Sequence, residues 1–448
     1  MRNHPEEYLT VLKKHFSKVP SMVCPESKLS STLASIEQED DSLRTTNQNG
    51  KFTAFQRWFT FKEAFAPSFV IGAIERLGYW PTHIIDPFGG MGTTAITAQL
   101  LDINVTTIEI NPFSADLISA KATPIPLEAL NQISTDFYER LAKTPENLNL
   151  LAHLPPTFVE GAQKDRWIFS ENVAKRISQY LGVITDYKDP DIKRLLKVIL
   201  GSTLIPSSNV YINGKGRRYR RNWKENQPTT QVLDDLFKKQ LEIVLEDNRI
   251  FQHRPNGIVS VHNDDSRVVL SGLNETTDLI VFSPPYPNSF DYTDIYNVEL
   301  WVLGYLKNAS DNSTLRKQTL RSHVQAKRPF DQPKNTSEIL NKTYSDLKTV
   351  RVDLWNKNIP EMVTAYFKDL EDILLHSYRL LKPKGKVIMV VGDSKYSNVL
   401  IDVAGILIEI ARALGYKEVS KQEVRKMRTS AQQGGTHQLG EWIIELTK

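Results

Sequence analysis

One cysteine, Cys24, is all that 448 residues contain. That excludes an intramolecular disulfide and a Cys-rich zinc site, and it fits a reducing compartment. No uninterrupted apolar run reaches the roughly 18 residues a membrane span needs. The opening residues, Met-Arg-Asn-His-Pro-Glu-Glu, lack the apolar stretch of a secretory signal, so a cytoplasmic protein with no membrane partner is expected. Charge of one sign is missing too: 56 basic against 52 acidic residues leave +4. Any surface for a polyanion must therefore be local. Repeats and low-complexity tracts are absent, and His262, His323 and His437 show no metal-ligand spacing, so no metal is expected.

What remains is an ordinary globular composition, 40% hydrophobic and 24% charged, long enough for two or three folding units. The polar stretch from Gln38 to Lys51 has little to bury and reads as a linker. From residue 82 a pattern begins: Thr82 to Asp86 is strand-like, Gly89 to Gly92 a turn, Thr93 to Leu101 helical, and Val105 to Ile110 a second strand. Such a succession starts a parallel α/β sheet. Further buried strands are predicted at Gly257 to Val261, Asp278 to Phe282 and Gly385 to Val391. Apolar spacing predicts helices from Pro360 to Leu381 and from Val399 to Leu414. Strand-like Lys417 to Val424 and Trp442 to Leu446 bring the total to seven. Two segments break the alternation, the mainly helical stretch from Pro124 to Asn256 and the polar, basic stretch from Lys307 to Lys357. Both are read as insertions at the loop ends of the sheet.

Asp86-Pro87-Phe88-Gly89-Gly90-Met91-Gly92-Thr93-Thr94 lies between a strand and a helix. Its glycines allow close approach of a ligand and backbone with positive φ. With Glu109 ending the next strand, it fits a nucleotide cradle in which a carboxylate holds ribose hydroxyls. Asp86 directly before the turn repels a pyrophosphate but suits the ammonium group of a methionine moiety. This favours S-adenosylmethionine over a nicotinamide cofactor. A second motif, Ser283-Pro284-Pro285-Tyr286, follows a strand. Its prolines remove backbone donors and leave carbonyl acceptors, which suits gripping the N–H groups of an exocyclic amine while Tyr286 stacks on the base. A base in a duplex reaches such a pocket only by flipping out.

In that order the two motifs resemble those of amino-group DNA methyltransferases, and the Ser-Pro-Pro-Tyr spelling resembles the cytosine-N4 branch more than the adenine-N6 branch. The resemblance covers residues 53–122, 257–306 and 360–448. It implies an α/β fold of the Rossmann-like methyltransferase type, with a seven-stranded, mostly parallel sheet, an antiparallel last strand and an inserted helical domain. It divides the chain into an N-terminal extension (1–52), a cofactor-binding part (53–122), a helical insertion that is a candidate for DNA recognition (123–256), a catalytic part (257–306), a basic polar insertion (307–359) and a C-terminal part (360–448). By the same resemblance Phe61-Lys62 through Pro67 cradles the methionine end. Asp86, Phe88, Gly89, Gly90, Gly92 and Thr93 hold the cofactor's amino-acid part, Glu109 the ribose, and Asp265 the adenine, with Asp264 a competitor. Ser283, Pro284, Pro285 and Tyr286 are the catalytic loop, and Asp291 and Tyr292 line its pocket, unless Asp291 caps a helix. The chain departs from the family in the place of its long insertion, so motif order does not assign the segment that reads DNA.

Lys215 to Lys224 holds six basic residues in ten with two aromatics. Arg217, Arg218, Arg220 and Arg221 are the expected phosphate contacts, although Tyr219 and Trp223, four apart, also fit a helix core. Arg316, Lys317, Arg321, Lys327 and Arg328 form a weaker second patch. The expectation is a site-specific enzyme acting on double-stranded DNA with S-adenosylmethionine, partnered by a restriction endonuclease. Alternatives are adenine-N6 methylation, RNA base methylation, an inactive DNA-binding module and, last, a nicotinamide enzyme. Carbon-5 methylation of cytosine is disfavoured, because Cys24 lies far upstream of the cofactor turn and outside any Pro-Cys dipeptide.

Overall fold

The computed structural model describes residues 45–47, 50, 53–61, 63–161, 164–213, 216–253, 257–288, 290–330, 337–428 and 438–448. Cys24, Lys62, Lys215, His437 and most of the 38–51 stretch lie outside them. Seven strands form one sheet: β1 (His83–Asp86), β2 (Asn104–Ile108), β3 (Val259–His262), β4 (Thr277–Phe282), β5 (Leu381–Gly392), β6 (Glu418–Arg428) and β7 (Gln438–Thr447). Their order is β6-β7-β5-β4-β1-β2-β3. From β5 to β3 neighbours are parallel, while β7 runs antiparallel to both β5 and β6. The fold is the expected α/β sheet with an antiparallel last strand.

The central strands β1 and β4 are buried along their whole length, because helices cover both faces, as parallel sheets require. On one face lie α1 (Pro67–Leu77) and α2 (Thr93–Leu100); on the other, α11 (Ile359–Leu380) and α12 (Val403–Ala413). Between them in sequence come α3 (Pro112–Ala122), α4 (Leu127–Lys143), α5 (Glu171–Asp186), α6 (Pro190–Leu204), α7 (Thr230–Ile250), α8 (Ser266–Gly272), α9 (Ala309–Gln318) and α10 (Glu338–Thr349). Local chemistry sets several starts. Asn111 caps α3 through its side chain and Asp189 caps α6, each followed by a proline in the first turn.

Helices α4 to α7, in the expected helical insertion, share one apolar cluster with Phe113 and Leu117 of α3. Phe137 of α4 stacks on Phe237 of α7 at 4.9 Å. The insertion is therefore packed onto the sheet's own helical layer. Two expectations are corrected. The stretch from Val399 does not begin as helix: Val399–Ile401 pairs with Ser394–Tyr396. Asp402 then starts α12 by accepting from Gly405 N at 2.8 Å. Tyr219 and Trp223 are not on a helix either. Val210–Asn213 and Gly216–Tyr219 form an antiparallel hairpin, and the Tyr219 and Trp223 rings meet at 5.1 Å. Among the described residues no helix is long and apolar enough to cross a membrane.

Candidate active site

The loops after β1, β2 and β4 enclose one cavity at the carboxyl ends of the parallel strands, where open α/β sheets bind ligands. The turn after β1 is shaped by Gly90 and Gly92, at φ 54° and 87°, values that disfavour other residues. It leans on β2: Gly89 N donates to Ile108 O at 2.8 Å, and a Cβ on Gly89 would stand 2.3 Å from Thr107 Oγ1. Glu109 ties it from the side, accepting from Gly90 N at 2.7 Å and Asn111 N at 2.8 Å. From below, the buried Lys121 donates its Nζ to Met91 O at 2.7 Å.

Phe88, Gly89, Gly90, Thr93, Glu109 and Asp265 all line the cavity. Burial lifts the Glu109 carboxyl to about 7, against its two backbone hydrogen bonds. Asp265 also caps α8 and pairs with Arg267 at 2.6 Å, whereas Asp264 is exposed and outside the lining. Gly92 and Asp86 do not line the cavity. Asp86 lies beneath the turn, 1% exposed, accepting from Phe88 N at 2.9 Å, and burial lifts its carboxyl to about 7.

Ser283, Pro284, Pro285 and Tyr286 line the same cavity. Ser283 Oγ donates to Val390 O at 3.1 Å. The Tyr286 hydroxyl donates to Glu441 Oε1 at 3.1 Å. Burial, then the Glu441 charge, holds that phenol well above its ordinary range. The ring has room because position 392 is glycine; a Cβ there would lie 2.5 Å from Tyr286 Cε2. Tyr292 lines the cavity as well, while Asp291 does not. Asp291 caps the short helix that follows, accepting from Thr293 N at 3.0 Å, and pairs with Arg316. Burial works against its charge, yet His323, Thr293 and Arg316 hold its carboxyl below the ordinary value.

The two basic clusters are divided by the fold. In the 210–219 hairpin Arg217 turns toward Phe158, 5.7 Å from its ring centroid. Arg220 donates to the carbonyls of Ser208 (2.9 Å) and Ile205 (3.2 Å) beyond the end of α6. Only Arg218 and Arg221 of the four arginines are exposed. In the second cluster Arg321 pairs with the buried Asp369 at 2.7 Å, and Arg328 donates to Thr319 O and Leu320 O. These arginines hold the segment in place.

Several lining residues carry no sequence motif: Tyr296, Ser322, His323, Arg425, Met427 and Glu441. Tyr296 stacks on Phe61 at 5.0 Å and donates to Glu63 at 2.8 Å. Alternation along β7 marks Glu441 as one of a facing set but not which face. No group of three or more His, Cys, Asp or Glu able to hold a metal ion occurs among the described residues.

No family model matches the chain. It is 27% identical over 440 residues to the type II methyltransferase M.BsoBI of Geobacillus stearothermophilus, covering 87% of this chain and 84% of that one. It is 25% identical to M.AvaI of Nostoc sp. (85% and 83% covered) and 21% identical to M.MvaI of Kocuria varians (81% and 82%), both also type II methyltransferases. A solved structure, the rRNA methyltransferase aviRa of Streptomyces viridochromogenes, superposes over 86% of this chain and 85% of its own at 10% identity. Its TM-score of 0.25 carries no argument.

Proposed function

We propose that the protein is a DNA methyltransferase that moves a methyl group from S-adenosylmethionine to the N4 amine of a flipped cytosine within a specific duplex site, as the protective member of a restriction system. The observation that carries this reading is that one cavity is lined both by Gly89, Gly90, Glu109 and Asp265 and by Ser283 to Tyr286. A cofactor and a base can meet there. The relatives' names, type II methyltransferases, support the methyl-transfer part of this reading.

The residues present suit the cofactor. At Gly90 a Cβ would stand 3.5 Å from Phe61 of the cavity wall, Glu109 offers carboxylate oxygens to hydroxyl donors, and Asp265, in the same lining, would be the partner of the adenine. The ammonium and sulfonium charges would face a site biased toward cations by the carboxyls of Glu109 and, from beneath, Asp86. When bound, S-adenosylmethionine supplies the electrophilic methyl carbon and a good leaving group.

The chain's own part is alignment and electrostatic support. With its hydroxyl hydrogen committed to Val390, Ser283 Oγ keeps lone pairs for an amine N–H. Pro284 and Pro285 leave carbonyls without competing donors. Tyr286 stays protonated and serves as a stacking face, offsetting about 1 to 3 kcal/mol of the cost of unstacking the base. Exposed Arg218 and Arg221 meet phosphates.

The test is transfer of labelled methyl to duplex DNA, with the product nucleoside identified by mass spectrometry. N4-methylcytosine is the expected product. N6-methyladenine would move the assignment to the adenine branch, label on RNA alone would move it to an RNA substrate, and no transfer would point to a DNA-binding module.

A further inference from the structure

The cavity has a polar corner that the proposed chemistry does not use. Strands β6 and β7 set Arg425 directly opposite Glu441, immediately after a register shift between Glu423 and Arg425. Such bulges re-aim the side chains that follow them. Glu441 is 2% exposed. It accepts from Arg425 Nε and, at 2.9 Å, from Nη2, from the Tyr286 hydroxyl at 3.1 Å and from Thr45 Oγ1 at 2.8 Å. Arg425, Glu441, Tyr286 and Ser283 line the same cavity.

A guanidinium carries five N–H donors in a fixed plane. Glu441 takes the Nε hydrogen and one of the two Nη2 hydrogens, so the end fork, the second Nη2 hydrogen with an Nη1 hydrogen, has no bond among the described residues. The fork can only donate, so it fits a base edge that presents two neighbouring acceptors. Beside its amine, cytosine presents N3 and then O2. Adenine presents N1 and then a C–H.

We propose that Arg425, clamped by Glu441, is the residue that reads the target base, donating from its end fork to N3 and O2 of the cytosine whose N4 is methylated. The inference rests on the cytosine-N4 reading and deepens it. Glu441 is a positioning residue: one carboxylate fixes the stacking ring of Tyr286 and the edge-reading guanidinium together.

The experiment uses the full chain and duplexes carrying cytosine or 3-deazacytosine at the methylated position, located beforehand by base-modification sequencing. Wild type is expected to lose at least about tenfold in kcat/KM on 3-deazacytosine, the size of one lost charged hydrogen bond. Arg425→Met should lose a similar factor on cytosine and then treat the two bases alike within about twofold, since the contact is already gone. Because removing Arg425 strands a buried carboxylate, the pair Arg425→Met with Glu441→Gln is measured alongside.

An analogue penalty that persists undiminished in these variants overturns the proposal. So does equal wild-type activity on both bases, a result that needs no variant to fold. A persisting penalty together with a shallower salt dependence would reassign Arg425 to a phosphate. If N4-methylcytosine is the product and the penalty persists, this inference alone fails. If the product is N6-methyladenine, the cytosine reading fails with it.

Discussion

Asp86→Asn separates what the carboxylate beneath the glycine turn does for the fold from what it does for the ligand. In the wild type it is 1% exposed, and burial outweighs the hydrogen bond from Phe88 N, lifting its pKa from 3.8 to about 7. At about 1.4 kcal/mol per tenfold change in proton activity, the ionised form costs about 4 kcal/mol of stability. The sign follows from proton counting. Between pH 3.8 and about 7 the folded protein holds a proton that the unfolded chain has lost, so this group's contribution is intact below that window and is lost as pH rises through it.

Asparagine keeps the acceptor for Phe88 N and does not titrate, but its Nδ2 needs a partner, and a buried unpaired donor costs about 1 to 3 kcal/mol. The variant should therefore be less stable than wild type at pH 4.5 and more stable by about 1 to 3 kcal/mol at pH 8. Urea unfolding across pH 4.5 to 8 measures the difference. A difference that stays flat with pH, or that falls, would refute the reasoning. Calorimetry on the same variant at pH 8, where the wild-type carboxylate is ionised, should show S-adenosylmethionine bound about tenfold more weakly, the scale of one partly screened charge pair.

Tyr286→Ala should lower kcat by about a hundredfold or more while leaving the cofactor dissociation constant within about threefold; equal losses of both would make the ring a structural element, and Tyr286→Phe, which removes only the bond to Glu441, should fall between. Gly392→Ala puts a Cβ 2.5 Å from the Tyr286 ring and should reproduce the turnover defect with about 1 to 3 kcal/mol of lost stability, read by methyl transfer and urea midpoint. Arg218→Ala with Arg221→Ala should reduce the slope of log affinity for DNA against log salt by about 2. Arg220→Ala should leave that slope unchanged and lower the thermal midpoint, because its guanidinium binds carbonyls of residues 205 and 208.

The sheet was legible because short apolar runs bounded by turn residues have few alternatives. All seven predicted strands are present, with ends shifted by a few residues. The start of α12 was missed: Val399 to Ile401 is apolar enough for helix or strand, and Asp402, a capping residue, was passed over. The basic run after Lys215 illustrates a different limit. A count of arginines shows charge but not direction, and a hairpin sends alternate side chains to opposite faces, so Arg217 packs inward while Arg218 is exposed. Asp291 was left between capping and lining, and its bond to Thr293 N decides for capping.

By itself the amino-acid sequence determined the strand, glycine turn, helix succession and the placing of Ser283 to Tyr286 just past a buried strand, since both depend on neighbours within a few positions. Only the tertiary structure decided that Glu441, 155 positions after Tyr286, holds its hydroxyl, that Lys121 supports Met91, and that Asp86 lies under the turn. Those partners come from separate strands and helices, and their meeting is fixed by sheet order and packing, which no local pattern encodes.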